Sequence, residues 1–227
     1  HLRHLRRFAD GGKFLVEAGD ASALQLLARA RQPFVLGPHV NVYSAEALKV
    51  HARLGACRWV APVELPLEEV GRINGCSEAG EGSPAMPTEA WAFGRLPLAF
   101  SARCFTARHH HLRKDDCQFR CADDPDGLLL STGEGRPFLA LNGIQTLSAG
   151  QQCLIAERDA LRRAGVTRLR LSPVSRNFEA VVAAFERVMN DGAAAGEAMR
   201  GFVDMALPGG IVNGFARARP GIEQAAP

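Results

Sequence analysis

Short apolar runs rich in β-branched and aromatic residues alternate with helix-period segments from residue 14 onward. That order builds a parallel sheet. FLVEA (residues 14–18) reads as the first strand, and ASALQLLARA (residues 21–30) as a helix with Leu24, Leu27 and Ala28 on one face and Asp20 placed to cap it. PFVLGP (33–38) and SAEALKVHARLG (44–55) repeat the unit. Ser44 caps, Leu48 and Leu54 make the apolar stripe, and Gly55 ends the helix. CRWVAP (57–62) and ELPLEEVGRI (64–73) form a third unit, GCSEAGEGSPAMP (75–87) reads as a loop, and TEAWAFG (88–94) as a fourth strand. After an interruption at about residues 97–136 the rhythm returns. PFLALNG (137–143) is a strand, residues 149–164 a helix, TRLRLSP (167–173) a strand and residues 177–190 a helix. The opening HLRHLRRF reads as the tail of a helix stopped by Gly11 and Gly12, and the C-terminal segment is expected to fray after Arg219.

These are about six strand-helix steps. The predicted fold is α/β: a partial β/α barrel of the TIM type in one domain over residues 1–227, interrupted by a cysteine-rich insertion at about 97–136. An eight-fold barrel needs about two more steps, which this reading places upstream of His1, with the first strands missing from the chain. An open doubly wound sheet is the alternative, but no GxGxxG follows any strand.

With 27 Lys and Arg against 24 Asp and Glu, the formal net charge is +3, too small to call for a nucleic-acid partner. The basic HLRHLRR start reads as a solvated helix end. No apolar run reaches the roughly 18–20 residues of a membrane span, so a cytoplasmic chain is expected.

The interruption carries the chemistry. Cys104, Cys117 and Cys121 are spaced C-X12-C-X3-C among Arg103, Arg108, Arg113, Lys114 and Arg120, with His109, His110 and His111 between them. Clustered thiols outside an oxidising compartment hold a metal or a cluster, and soft sulfur donors suit both zinc and iron-sulfur sites. The spacing leaves both open. Zinc ribbons favour X2 pairs, and a cluster takes four ligands where the motif offers three. Buried small hydrophobes are the plain alternative, disfavoured by the charged, loop-forming neighbours. Candidate fourth ligands are Cys57, Cys76, Cys153, a histidine of the run or a residue outside the chain; Cys57 and Cys153 read as core, and the histidine run as a solvated loop.

LPLAFSARCFTARHHHLRKDDCQFRC (96–121), followed by FLALNGIQTLSA (138–149), resembles the peptidase U32 family, and within it the UbiV-like proteins of ubiquinone biosynthesis. KFLVEAGD, LGPHVNVYSAEALKV, RWVAPVEL and RLSP extend the resemblance over most of the chain. It implies a barrel-type fold, a 4Fe-4S cluster held by Cys104, Cys117 and Cys121, and a role in oxygen-independent hydroxylation of a small-molecule ubiquinone precursor. The implied partner is a UbiU-like U32 paralogue in a heterodimer. The fourth cluster ligand, by the same resemblance, is a cysteine upstream of this chain. An RNA-base-modifying enzyme or peptidase of the same family is a rival reading, and a non-catalytic metal-stabilised scaffold subunit is another. No GxSxG elbow or HExxH helix supports proteolysis.

Polar residues at strand ends are further candidates, because barrel sites sit at the C-terminal ends of strands. His39, Asn41 and Glu64 are the candidate catalytic residues, with Glu17, Glu89 and Arg103 beside them. Each alone reads equally as a cap or loop hydrogen bond. Asn142 and Gln145 of NGIQT can bind a ligand through their amides, or Asn142 and Gly143 can simply form a turn.

Overall fold

The computed structural model describes residues 2–75, 86–205 and 207–225. Along the first part of the chain run α1 (Leu2–Gly11), β1 (Val16–Ala18), α2 (Ala21–Arg29), β2 (Phe34–Leu36), α3 (Ala45–Arg53), β3 (Ala56–Val60), α4 (Leu67–Ile73) and β4 (Thr88–Phe100). There follow α5 (Phe105–His109), β5 (Leu128–Ser131), β6 (Pro137–Asn142), β7 (Gln145–Cys153), α6 (Arg158–Arg163), β8 (Val166–Leu171), α7 (Phe178–Met189), α8 (Ala195–Asp204) and β9 (Ile211–Val212). The fold is mixed α/β. Two compact units divide it, one from the chain up to Ala90 with Asp159–Arg170, the other from Trp91–Arg158 with the chain from Leu171 onward.

In the first unit the expected alternation is realised. β1 pairs parallel with β2, β2 with β3, and β3 with the first residues of β4, while β8 lies beside β4. Asp20 takes the N–H of Ala23 at 2.9 Å and Ser44 that of Ala47 at 3.2 Å, so both anticipated caps form. β2 is buried along its whole length, as a central parallel strand with helices on its faces must be. Phe34, Leu36, Leu48, Trp59 and Val60 are the heart of the core, each at most 1% exposed. Leu54 departs from the expected stripe. It is the C-cap residue of α3, one position past the last helical turn, and stands 46% exposed.

The second unit is antiparallel where the sequence reading continued the β/α rhythm. β4 runs on to Phe100 and pairs with β7, β7 with β6, and β6 with β5; β9 adds parallel to β7. Pro97 sits inside β4 at shifts of register, where a missing N–H breaks no regular ladder. The helix expected over 149–164 is corrected. Residues up to Cys153 are strand, and only Arg158–Arg163 is α-helix. AGQQC lacks strand-formers, but pairing on both sides decides its state. Phe93 packs on Phe185 of α7 and Phe202 of α8, with ring centroids 6.1 and 5.6 Å away. The expected fraying after Arg219 is also corrected. Asn213 accepts the N–H of Ala225 at 2.7 Å and donates to its carbonyl at 3.1 Å, while Asn213 N–H reaches Glu223 O. Asn213 Nδ2 also donates to Glu157, whose carboxylate takes two bonds from Arg217.

Cys76 and most of the predicted 75–87 loop fall outside the described residues, but the ends of that segment are clamped. Asn74, fully buried, donates to Met86 O at 3.0 Å and Thr88 Oγ1 at 2.7 Å and accepts from Met86 N at 3.0 Å. Asn74→Ala strands the Met86 main-chain groups in the core. We expect a loss of about 2–3 kcal/mol, read as a lower midpoint in urea unfolding.

Candidate functional site

Cys104, Cys117 and Cys121 lie within the second unit, all half-buried and all free thiols. Cys104 is the N-cap of α5, and its Sγ accepts the N–H of Ala107 at 3.4 Å. Cys117 closes the single 3-10 turn Lys114–Asp116. Gln118 and Phe119 then both take φ +52, in the left-handed region, and turn the chain into a second 3-10 turn, Arg120–Ala122, that contains Cys121. This second turn packs against α5. Phe119 is left 78% exposed.

The tip of the β6–β7 hairpin ties these turns together. Asn142 pairs with Gln145 across a two-residue turn in which Gly143 has φ +58, a conformation that favours glycine at the first turn position. Ser101 N–H donates to Ile144 O at 2.8 Å, Phe105 N–H to Gly143 O at 2.7 Å, and Gly143 N–H to Thr106 Oγ1 at 3.0 Å. These bonds fix the approach to Cys104 and the first turn of α5. On the other side, Asn142 Nδ2 donates to Asp124 O at 3.0 Å and Cys121 O at 3.5 Å. NGIQT is therefore a turn, and its Asn142 amide holds main chain beside Cys121. Gln145 is exposed.

The donor chemistry of the three thiols fits a soft metal or an iron-sulfur cluster. Their number and placement do not close such a site: among the described residues no three His, Cys, Asp or Glu groups converge to hold an ion. Of the other fourth-ligand candidates, Cys153 is buried, and its burial pushes the thiol up to about 12, which keeps it protonated. Cys57 departs from its core expectation. It is exposed, and its thiol donates to Phe34 O at 3.3 Å. The histidine run caps a helix end rather than filling a loop, with His109 in α5 and His111 at φ +55.

In the first unit a different set of charges converges. Arg170 of β8 donates to Glu89 at 2.6 Å and grips Glu17 of β1 with both terminal nitrogens; Arg58 of β3 approaches Glu89 at 3.4 Å. Burial by itself lowers the Arg170 guanidinium, but the two carboxylates more than offset this and hold it above its ordinary value. Sequence reading singled out Glu17 and Glu89 and missed their arginines, since nothing local in RLRL or CRWV marks a charge that crosses strands. His39 lies half-buried in the turn Pro38–Val40, and Asn41 follows at φ +61 as its cap. Glu64 is exposed and accepts the hydroxyl of Tyr43, a residue the sequence reading did not weigh. Arg103 is exposed, its N–H donating to Ser101 Oγ at 3.1 Å.

A mixed α/β chain with three free thiols on a hairpin-pinned segment defines the class, and the family follows from comparison. The family model for peptidase family U32 matches residues 3–225, and the chain belongs to that family. No solved structure matches it.

Two predictions follow from this geometry. Asn142→Leu frees the carbonyls beside Cys121 at a cost of about 1 kcal/mol per bond, so alkylation of Cys121, mapped by mass spectrometry, is expected to quicken about tenfold while Cys153 stays unreactive. Tyr43 is the chain's only tyrosine, and burial, then the hydrogen bond and charge of Glu64, push its hydroxyl from 10.0 up to about 12. A raised folded value means that stability from this hydroxyl is complete below pH 10 and is lost as pH rises through about 12. Ultraviolet titration of the native chain should show tyrosinate only at the upper end of that interval, with Glu64→Gln moving it downward.

Proposed function

We propose that this U32 protein is the iron-sulfur subunit of an oxygen-independent hydroxylase acting in ubiquinone biosynthesis, of the UbiV-like type. The observation that carries the reading is the set of three free, half-buried thiols on one segment that the β6–β7 hairpin holds near Cys104 and near Cys121. In this reading Cys104, Cys117 and Cys121 ligate a 4Fe-4S cluster, with the fourth donor from outside the described residues. The cluster supplies electron transfer or substrate activation when bound. The chain's own contributions are the Ala107 N–H directed at the Cys104 sulfur and the arginines at positions 103, 108, 113 and 120, whose charge offsets that of thiolates. The barrel is of the TIM type in one domain, and the protein works in the cytoplasm. Among the described residues no helix is long and apolar enough to cross a membrane.

The partner in this reading is a UbiU-like U32 paralogue, and the substrate a small-molecule ubiquinone precursor. Support for a partner comes from the antiparallel strands and the β6–β7 turn, where Leu98, Phe100, Leu129, Leu130, Phe138 and Ile144 stand 40–55% exposed. Exposed apolar side chains on these strands are what an association surface would cover. His39, Asn41 and Glu64 are retained as candidate catalytic residues.

The test is anaerobic purification followed by iron, sulfide and zinc analysis with visible absorption. About four iron and four sulfide per chain are expected, falling to background in Cys104→Ser, Cys117→Ser and Cys121→Ser but not in Cys153→Ser. Stoichiometric zinc without iron would overturn the redox reading and favour a metal-stabilised scaffold.

A further inference from the structure

A cavity of about 300 Å³ lies in the second unit, its wall including Trp91, Arg95, Pro97, Leu147 and Gln151. The charged groups there are already engaged. Arg95 donates to the main-chain carbonyls of Asp126 at 3.0 Å, Ser148 at 2.8 Å, Pro208 at 3.4 Å and Ala149. The Asp126 carboxylate takes the N–H of Ser175 at 2.8 Å and its hydroxyl as well. Neither charge is left to hold an ionic ligand.

Gln151 is the exception. It is 1% exposed, and neither the nitrogen nor the oxygen of its carboxamide has a hydrogen-bond partner. Its backbone is fixed in β7, opposite Arg95 and donating to Gly210 O at 2.8 Å, so the side chain cannot leave the wall. A buried amide with both groups unmet is unfavourable, and a leucine of similar size would carry no such penalty. A planar group offering one donor and one acceptor is complementary to another planar group offering the same pair in reverse. The apolar faces of Trp91, Pro97 and Leu147 suit the flat or alicyclic body that such a group would be attached to.

We propose that this cavity binds a small uncharged molecule presenting adjacent C=O and N–H groups on one edge, a lactam or carboxamide, which pairs with the Gln151 carboxamide through two antiparallel hydrogen bonds. The side chain is covered at rest, so uptake turns the carboxamide toward the cavity and satisfies both of its groups at once. Asn142 also lines the cavity while holding Cys121 O, which sets the ligand beside the cysteine segment. The proposal does not depend on what the thiols bind.

Side-chain amide signals of the isotope-labelled chain, with Gln151 assigned by their disappearance in Gln151→Leu, are followed during titration with valerolactam, N-methylvalerolactam and valerate. Valerolactam should shift the Gln151 signals saturably, the N-methyl compound should bind about tenfold more weakly for want of one hydrogen bond, and valerate should leave them unmoved. Gln151→Leu should melt no lower than the parent and bind valerolactam about tenfold more weakly. Equal binding of the lactam and its N-methyl derivative, or no binding by either, would reduce the cavity to a water site and overturn the proposal. A lower melting temperature or failed folding of Gln151→Leu would also overturn it, by giving the carboxamide a structural role.

Discussion

The cysteine segment is ordered by main-chain hydrogen bonds to one hairpin tip, and everything the site can do depends on them. Between the end of β4 and β5 the chain has little apolar surface to bury: of the residues from Ser101 to Gly127 with a described side chain, only Thr106 and Ala107 are fully buried. Such a segment cannot be held by a core and must be held by polar contacts. The tip supplies them through Gly143 O, Ile144 O, Gly143 N–H and the Asn142 amide. At about 1 kcal/mol each, no single bond suffices, but the set spans both ends of the segment. A two-residue turn is well suited to this task, since its main-chain groups point outward and the ladder behind it is rigid. Gly143 is required less for its size than for φ +58, which a side chain at that position would resist.

Charge is handled differently in the two units. In the first, Arg58, Arg170, Glu17 and Glu89 form a set with no net charge, spread over β1, β3, β4 and β8. Glu89 is buried and the two arginines are half-buried, so part of the attraction in each pair is offset by lost hydration. Their larger effect is on register, because each arginine reaches a carboxylate only when the parallel strands align as they do. In the second unit Arg95 is 7% exposed and, among the described residues, bonds main-chain carbonyls rather than a carboxylate. Burial lowers its guanidinium pKa against the opposing pull of Asp126, and four main-chain carbonyls replace the lost water. That solution makes Arg95 a structural strut between β4, β7 and the chain before β9, and it leaves the uncharged Gln151 as the unsatisfied group nearby.

The parallel half of the fold was legible because its signals are local. Asp20 and Ser44 stand next to the helices they cap, and FVL is apolar throughout because β2 is buried on both faces. The antiparallel half was legible only in part: PFLALNG reads correctly as β6 and residues 177–190 as α7, but the rest does not. AGQQC is strand because β4, β6 and β9 surround it, and the order of neighbours in a sheet is absent from a five-residue window. Pro97 reads as a strand terminator, and only the register shift around it explains its tolerance. α8 and β5 went unread for the same reason: LLLS and AGEAMRGFVD are weak alone and acquire their state from packing. At the site, the cysteine spacing was visible, whereas the arginines that meet Glu17 and Glu89 come from strands 41 to 153 positions away from Glu17. Tyr43 escaped because a lone tyrosine in a loop carries no pattern until Glu64 is placed beside it.

Environment then sorts the cysteines more sharply than spacing does. A thiol acts as a ligand or nucleophile only as thiolate, so what matters is whether its surroundings stabilise the negative charge. Cys153 lies in the apolar interior of the second unit, where burial drives its value to about 12 and leaves it an inert space-filler. Cys57 is solvent-exposed and stands apart in the first unit, its thiol donating to Phe34 O. Cys104 accepts a main-chain N–H at its sulfur, and it stands in a segment with arginines at positions 103, 108, 113 and 120. Cys117 and Cys121 share that segment and its half-buried setting, reachable by a metal yet partly shielded from water. Of the five cysteines described, these three share one half-buried segment, and the hairpin holds the turns that carry Cys104 and Cys121.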